Sequence, residues 1–194
     1  MTRNGDSNDM PEITILGIVG SIRDDSYNLA LMDEAKKLMP AGAHIETFDR
    51  LDEIPPFDED LEEQGYPEPV RALNDAIASA DALLVVTPEY NYSMPGVLKN
   101  ALDWASRPGG QSPLEGKPTG LMGASQGMGG TARAQLALRD VFVYTKTPVL
   151  PGPEVLVANA AEQFDEAGQL KSDETKKFVG DLLERLVEAA REAA

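Results

Sequence analysis

Residues 82–104, with the sequence ALLVVTPEYNYSMPGVLKNALDW, decide the fold of this chain. The apolar run 82–86 is typical of a strand that is buried on both faces. A loop rich in aromatic and polar residues follows it, and then a short helix that contains the only Trp. In open α/β sheets, ligands bind at the carboxyl ends of the strands. The segment therefore predicts a loop that binds a flat ligand with a polar rim.

Strands and helices alternate along the rest of the chain. Apolar, β-branched runs predict strands at 12–19, 44–48, 82–87, 119–124 and 148–150, the last with an extension through 155–157. Apolar residues at helical spacing predict helices at 26–39, 69–79, 96–104, 132–144 and 173–193. This alternation predicts an α/β fold with a doubly wound five-stranded parallel sheet in the order 2-1-3-4-5 and helices on both faces. We expect residues 11–194 to form a single domain, preceded by a disordered tail at 1–10.

The composition excludes several classes of protein. The net charge is −16, with 33 acidic and 17 basic residues, which argues against binding to nucleic acid or to anionic membranes. Without Cys there are no disulfides and no thiolate chemistry, and no apolar run is long enough to span a membrane. The cytoplasm is therefore the expected location. The acidity fits either an ordinary acidic soluble protein or a host with a salt-rich cytoplasm, in which self-repulsion is screened.

The loop after strand one, residues 20–28, has the sequence GSIRDDSYN and leads into a helix. Helix N-termini attract anions, and Arg23 can form a charge-assisted fork to a phosphate. A purely structural interpretation is also open, in which Ser26 caps the helix and Arg23 pairs with Asp24 or Asp25. The position at the switch point of the sheet favours phosphate binding. The loop lacks the spacing of a nucleotide-triphosphatase P-loop.

A glycine-rich loop at 123–130, GASQGMGG, follows strand four. Its beginning fits G-x-S-x-G, the nucleophile elbow of serine hydrolases, but the triad needs a His after the Ser in the chain, and the single His44 lies upstream. We interpret the loop as one whose backbone approaches a ligand closely, with Ser125 as a polar contact. The acidic stretch 58–63 lacks the spacing of a calcium loop, so we expect a solvated surface there and no metal site.

Together these residues resemble the NADPH-dependent FMN reductase family, which has a flavodoxin-like fold and includes quinone, chromate and azo-dye reductases. The family pattern Gly-Ser-x-Arg-x-x-Ser-x-Asn is met from Gly20 to Asn28. The pattern Pro-Glu-Tyr-Asn-x-Ser-x-Pro-Gly-x-Leu-Lys-Asn-x-x-Asp-Trp is met from Pro88 to Trp104, and a third glycine-rich pattern is broadly met from Ser125 to Arg139. One departure lies at 133–138, where relatives often have an aromatic residue and a His.

The resemblance implies FMN as the cofactor, NADPH or NADH as co-substrate, and a homodimer or homotetramer with FMN near a subunit boundary. It implies that the phosphate is held by Ser21, Arg23, Ser26 and Asn28. It implies that the ribityl and isoalloxazine atoms are contacted by Pro88, Glu89, Tyr90 and Asn91, with Ser125 near the far edge of the ring.

The activity that the resemblance implies is a ping-pong cycle, in which a nicotinamide passes hydride to N5 of FMN and a quinone, free flavin, azo dye or metal oxyanion then takes it up. Because the flavin carries the chemistry, we assign no side chain as catalytic. The main alternative is a flavodoxin-type electron carrier, which Arg23 disfavours because flavodoxin loops rely on hydroxyls and backbone. A second alternative is an interaction protein that keeps only the fold.

Overall fold

Five parallel strands form a single sheet in the computed structural model, which describes residues 11–194. The strands are β1 (Ile13–Val19), β2 (Ala43–Phe48), β3 (Ala82–Val86), β4 (Thr119–Ala124) and β5 (Val155–Val157). Their order is β2-β1-β3-β4-β5, and every pairing is parallel. The predicted flavodoxin-like order is therefore confirmed. The predicted tail at 1–10 lies outside the described residues.

Helices cover both faces of this sheet. In the described part of the chain they are α1 (Tyr27–Lys37), α2 (Glu59–Glu63), α3 (Glu68–Ser79), α4 (Gly96–Ala105), α5 (Ala132–Tyr144), α6 (Ala160–Gln163) and α7 (Asp173–Ala193), with a 3₁₀ turn at Leu51–Glu53. Leu84 and Val86 of β3 pack with α1 and α7, whereas Leu83 and Val85 pack with α3, α4 and α5. Because successive side chains of a strand point to opposite faces, this apolar run is buried on both sides. No helix within residues 11–194 is long and apolar enough to cross a bilayer.

The fifth strand differs from the prediction. Its ladder to β4 runs over Val155–Val157, and the predicted segment 148–150 contributes only an isolated bridge between Val149 and Thr119. Prolines at 148, 151 and 153 explain the difference, because proline has no N–H to donate to a ladder. The prediction that residues 148–150 form the main part of strand five is therefore wrong, and the predicted extension at 155–157 forms the strand.

The acidic connection 51–67 is more ordered than the sequence suggested. It contains the 3₁₀ turn and α2, whose N-terminus is capped by the carboxylate of Asp58 through the N–H of Asp60 (2.9 Å). Glu62 of α2 pairs with the guanidinium of Arg107 (3.0 Å), so the predicted solvated surface is partly an ion-paired one.

Candidate functional site

Three loops meet at the carboxyl edge of the sheet and enclose a cavity of about 200 Å³. They follow β1, β3 and β4, as expected when β1 and β3 flank the switch point of a doubly wound sheet. Eight of the nine predicted site residues line this cavity: Ser21, Arg23, Ser26, Asn28, Pro88, Glu89, Tyr90 and Ser125. The ninth, Asn91, lies in the same loop as Tyr90 but does not line the cavity.

The loop after β1 forms the donor-rich side of the cavity. Ser26 caps α1, because its Oγ accepts the N–H of Asn28 (3.2 Å). Among residues 11–194, the Arg23 side chain makes neither an ion pair nor a hydrogen bond, so the expected alternative of a pair with Asp24 or Asp25 is absent there. Within the same range, the backbone N–H groups of Asp24, Asp25 and Tyr27 also lack an acceptor, whereas that of Ser26 closes the turn over residues 24 and 25. Free N–H groups at a helix start next to an unpaired guanidinium suit an anion.

Asn28 connects two of the three loops. Its Nδ2 donates to the carbonyl of Ala124 (2.9 Å), and its Oδ1 accepts the N–H of Ala124 (2.8 Å). The β3–β4 pairing ends at Val86 and Met122, so the backbone of Ala124 has no strand partner on that side and the side chain supplies one. Asn28 lines the cavity and stays a predicted phosphate ligand, and its amide also holds the β1 loop against the end of β4.

The loop after β3 contains a tight turn over residues 90–93. Tyr90 and Ser93 exchange two backbone hydrogen bonds of 2.9 and 3.0 Å. The two residues between them are both left-handed, with φ of 49° at Asn91 and 67° at Tyr92. This is the geometry of a type I′ turn, which asparagine tolerates and tyrosine rarely adopts. The side chains of Tyr90 and Tyr92 are held at the surface, 47% and 73% exposed.

Glu89 is bound to the start of α5. One carboxylate oxygen accepts the N–H groups of Arg133 (2.9 Å) and Ala134 (3.2 Å), and the other accepts from the Arg133 guanidinium (2.7 Å). Burial raises the pKa of Glu89, but the hydrogen bonds from Arg133 and Ala134 outweigh it, so the pKa lies below its ordinary value. Glu89 was predicted to contact the cofactor. It lines the cavity, so this stays a prediction, and its carboxylate also accepts hydrogen bonds from the start of α5.

The packing of the glycine-rich loop after β4 requires glycine at two of its four glycine positions, for different reasons. A Cβ at Gly123 would clash with the carbonyl oxygen of Thr87, so the ends of β3 and β4 can approach closely only with glycine there. Gly130 has a φ of 55°, and a Cβ there would lie 3.0 Å from the backbone of Leu156. Gly127 and Gly129 are exposed, with no atom closer than 3.5 Å to an added Cβ. Positive φ accounts for one glycine of the four.

A serine hydrolase does not fit this loop. The Oγ of Ser125 accepts the N–H of Gly127 (3.2 Å). His44 lies in β2 at the opposite edge of the sheet, paired with Thr14 and near the carboxylates of Glu12 and Glu46. Its predicted place as a half-buried strand residue is confirmed. Among the described residues, no group of three His, Asp or Glu side chains is arranged to hold a metal.

The second half of the pattern from Pro88 to Trp104 has a structural role. Asn100 accepts the N–H of Phe57 (2.8 Å) and donates to the carbonyl of Pro55 (2.9 Å), and the indole of Trp104 donates to the same carbonyl (2.8 Å). These bonds fasten the connection 51–67 to α4. The motif therefore combines a cavity loop with an anchor for a segment on another part of the sheet.

A larger cleft of about 610 Å³ lies on the other side of the α1 N-terminus. Its polar lining is mostly carboxylate, from Asp33, Asp165 and Glu166 as well as Asp24 and Asp25. Such a lining repels an anion. Among the described residues, the smaller cavity has only two carboxylates in its lining, Asp25 and Glu89, of which Glu89 is paired with Arg133, and it contains Arg23 and the free N–H groups of the β1 loop. The smaller cavity is therefore the candidate site. Sequence reasoning missed Arg133, which does not line this cavity but pairs with Glu89 in its wall and stands in the segment that departs from the family pattern.

Comparison with known proteins agrees with this geometry. Residues 13–162 match the family described as NADPH-dependent FMN reductase. The chain is 47% identical to an NAD(P)H-dependent FMN reductase of Pseudomonas aeruginosa, over 90% of this chain and 94% of that protein. It is 41% identical to a 2-hydroxy-1,4-benzoquinone reductase of a Burkholderia species, over 89% and 93% of the two chains. The solved structure of FerB, a flavoenzyme NAD(P)H:(acceptor) oxidoreductase from Paracoccus denitrificans, superposes with a TM-score of 0.84 at 35% identity, covering 93% of this chain and 98% of that one. The chain belongs to the NADPH-dependent FMN reductase family.

Proposed function

We propose that this protein is an NAD(P)H-dependent FMN oxidoreductase that reduces quinones or other small acceptors. The observation that carries the proposal is the meeting of an anion-binding loop and an aromatic loop at one cavity, with eight of the nine predicted residues in its wall. FMN has the matching shape, with a phosphate at one end and a flat ring at the other.

The residues present fit FMN at both ends. At the phosphate end, Ser21, Ser26 and the free N–H groups of the β1 loop offer hydrogen bonds, and Arg23 offers a charge that makes no ion pair with a carboxylate within residues 11–194. This cation matters in a chain with a net charge of −16, whose overall field repels phosphate. At the ring end, Pro88, Tyr90 and Ser125 surround a cavity too small to enclose the whole cofactor. We propose that one ring face stays open.

When bound, FMN supplies hydride acceptance and donation at N5. The protein then has three tasks: to hold the phosphate, to orient the ring, and to leave room over one ring face. Tyr90 lines the cavity and is 47% exposed, so its ring can offer flat apolar surface to a nicotinamide or a quinone. Because both substrates use the same space, the cycle is ping-pong. We propose no catalytic side chain, since the transfer needs neither a protein acid nor a nucleophile.

The test is anaerobic addition of NADPH, and separately of NADH, to FMN-loaded protein. Bleaching of the visible flavin absorbance, followed by recovery when a benzoquinone is added, is the expected result. Flavin that stays oxidised would favour a flavodoxin-type electron carrier, and apoprotein that does not bind FMN would favour an interaction protein. Steady-state turnover with quinones, free FMN, azo dyes and chromate then ranks the acceptors.

We also propose a homodimer or homotetramer, with the outer face of α5 in the contact. This face carries the exposed side chains of Leu136, Val143 and Tyr144, and positions 136 and 143 lie on the same side of a helix. α5 contains two arginines and one aspartate, so two copies can meet there with less repulsion than elsewhere on an acidic chain. A monomeric mass in light scattering would refute the assembly.

Finally, we propose that residues 11–194 act as one FMN-binding domain in the cytoplasm. Apolar clusters on both faces of one sheet support a single domain. Dependence on reduced nicotinamide, which is an intracellular co-substrate, supports the location. Limited proteolysis that yields two stable fragments, or recovery of the protein in a secreted fraction, would contradict these two statements.

A further inference from the structure

We propose that Arg133 is a positioning residue that holds the turn 90–93 in the shape needed to orient the flavin ring. This inference rests on the proposed function, because it concerns how the chain prepares the ring end of the FMN site. Arg133 acts together with Glu89 and Tyr92, and we call these three residues the clamp.

The turn needs an external restraint. Left-handed backbone is unfavourable for residues with a Cβ, and Asn91 and Tyr92 adopt it consecutively. Asparagine can satisfy such a conformation locally, but the large side chain of Tyr92 gains nothing from it and is 73% exposed to solvent. Strained backbone of this kind persists only when its surroundings determine it.

Arg133 holds the loop on both sides of Asn91. Its guanidinium pairs with the carboxylate of Glu89 (2.7 Å), just before the turn, and lies 3.9 Å from the ring centroid of Tyr92 inside the turn. A planar guanidinium can make an ion pair at its edge and stack on an aromatic ring with its face. One side chain therefore links residues 89 and 92 and leaves the strained residue between them little freedom.

The other end of the clamp is anchored in the helix. In the described part of the chain, the N-cap Thr131 of α5 makes no side-chain capping bond, and the first turn of the helix has no acidic residue. Glu89 takes over this role from a different loop by accepting the N–H groups of Arg133 and Ala134. An arginine near a helix N-terminus is electrostatically unfavourable unless a carboxylate compensates it, and Glu89 does so.

Removal of the Arg133 side chain would have two effects. The restraint on Tyr92 would disappear, so the turn could relax. The carboxylate of Glu89, which is only 8% exposed and lines the cavity, would lose its cation next to the proposed site of the flavin ring. Both effects weaken ring binding, and the second also makes reduction of the bound flavin less favourable, because reduction adds negative charge near an uncompensated carboxylate.

The experiment compares wild type with Arg133→Met, Arg133→Lys and the double variant Glu89→Gln/Arg133→Met. Arg50→Met is the matched control, because Arg50 is likewise an ion-paired arginine, but its partners Glu53 (2.6 Å) and Glu68 (2.5 Å) do not line the cavity. The readouts are amide hydrogen exchange at Tyr90 and Ser93 in the apoprotein, the FMN dissociation constant, and the spectrum and midpoint potential of bound flavin.

For Arg133→Met we expect faster exchange at Tyr90 and Ser93, FMN affinity weakened by about tenfold or more, and a lower midpoint potential. Arg133→Lys keeps the charge without the planar stack, so it should restore the potential but not the slow exchange. The double variant should also regain the potential. Arg50→Met should match wild type in all readouts.

Two results would overturn the clamp: wild-type exchange, affinity and potential in Arg133→Met, or equal losses in Arg50→Met, which would indicate a general effect on stability. Failure of the proposed function is distinguishable, because wild type itself would then not bind FMN. The exchange rates of the apoprotein would still decide whether Arg133 holds the turn.

Discussion

Replacement of Asn28 by alanine tests whether the site is assembled by one side chain that bridges two loops. Asn28 is 3% exposed, and its amide makes two hydrogen bonds of 2.9 and 2.8 Å to the backbone of Ala124, which is 2% exposed. Alanine would leave a buried N–H and a buried C=O of Ala124 without partners. It would also disconnect the β1 loop from the end of β4.

The expected loss of stability follows from these two groups. An unsatisfied buried donor or acceptor costs about 1–3 kcal/mol, so two of them give about 2–4 kcal/mol after allowing for water that enters from the adjacent cavity. With an m-value of about 3 kcal/mol/M for a chain of this size, the urea midpoint of the apoprotein should fall by about 1 M.

Two further variants make the test specific. Asn28→Asp keeps an acceptor for the N–H of Ala124 but places a carboxylate oxygen against its carbonyl, so it should lose at least as much stability as alanine. The control is Asn74→Ala, since the buried side-chain oxygen of Asn74 has no partner within residues 11–194, so its removal should not lower the urea midpoint. A wild-type midpoint for Asn28→Ala, or for Asn28→Asp, would refute the bridging role.

Four other changes have expected outcomes. Arg23→Ala should weaken FMN binding by about 1.5–3 kcal/mol in a fluorescence titration, with no change in apoprotein melting. Unchanged affinity would show that Arg23 does not bind the phosphate. Gly123→Ala should lower stability by about 1–3 kcal/mol, because its Cβ would clash with the Thr87 carbonyl and lie 2.6 Å from Thr131 Oγ1; a wild-type melting temperature would contradict this contact. The folded pKa of Glu89 is depressed, so its stabilisation is present at neutral pH and is lost as the pH falls through the ordinary carboxyl range to the folded value; Glu89→Gln should therefore melt with a shallower acid dependence, and parallel curves would argue against it. Molar KCl should raise the urea midpoint if the net charge of −16 suits a salt-rich host, and an unmoved midpoint counts against that hypothesis.

The predictable part of this protein is the part that local patterns control. The run 82–86 is apolar at every position, so its burial on both faces followed from composition alone. The alternation of elements then placed the loops after β1 and β3 on either side of one crevice, which is why Ser21, Arg23, Pro88 and Tyr90 were found together. The fifth strand was less predictable, because prolines determine which part of 148–157 can enter the ladder.

Side-chain partners were the less predictable part of the site. Asn28 and Glu89 were expected to contact the ligand because their types and positions suit it. Both line the cavity, and both also satisfy backbone groups on β4 and α5, 96 and 44 residues away in the sequence, which no motif indicated. Asn100 and Trp104 also satisfy distant backbone groups, which lie in the connection 51–67. A motif shows which residue types are needed together, but it does not show which distant backbone groups their side chains bind.

The sequence by itself determined the class of the sheet, its strand order, the edge that carries the site and the family, because these depend on periodicity, chain order and short motifs. Only the tertiary structure decided that Asn28 bridges two loops and that Glu89 caps α5. It also decided that Arg133 holds a strained turn. The physical reason is that buried polar groups must find partners, and those partners are set by which distant segments the packed sheet brings within hydrogen-bond distance.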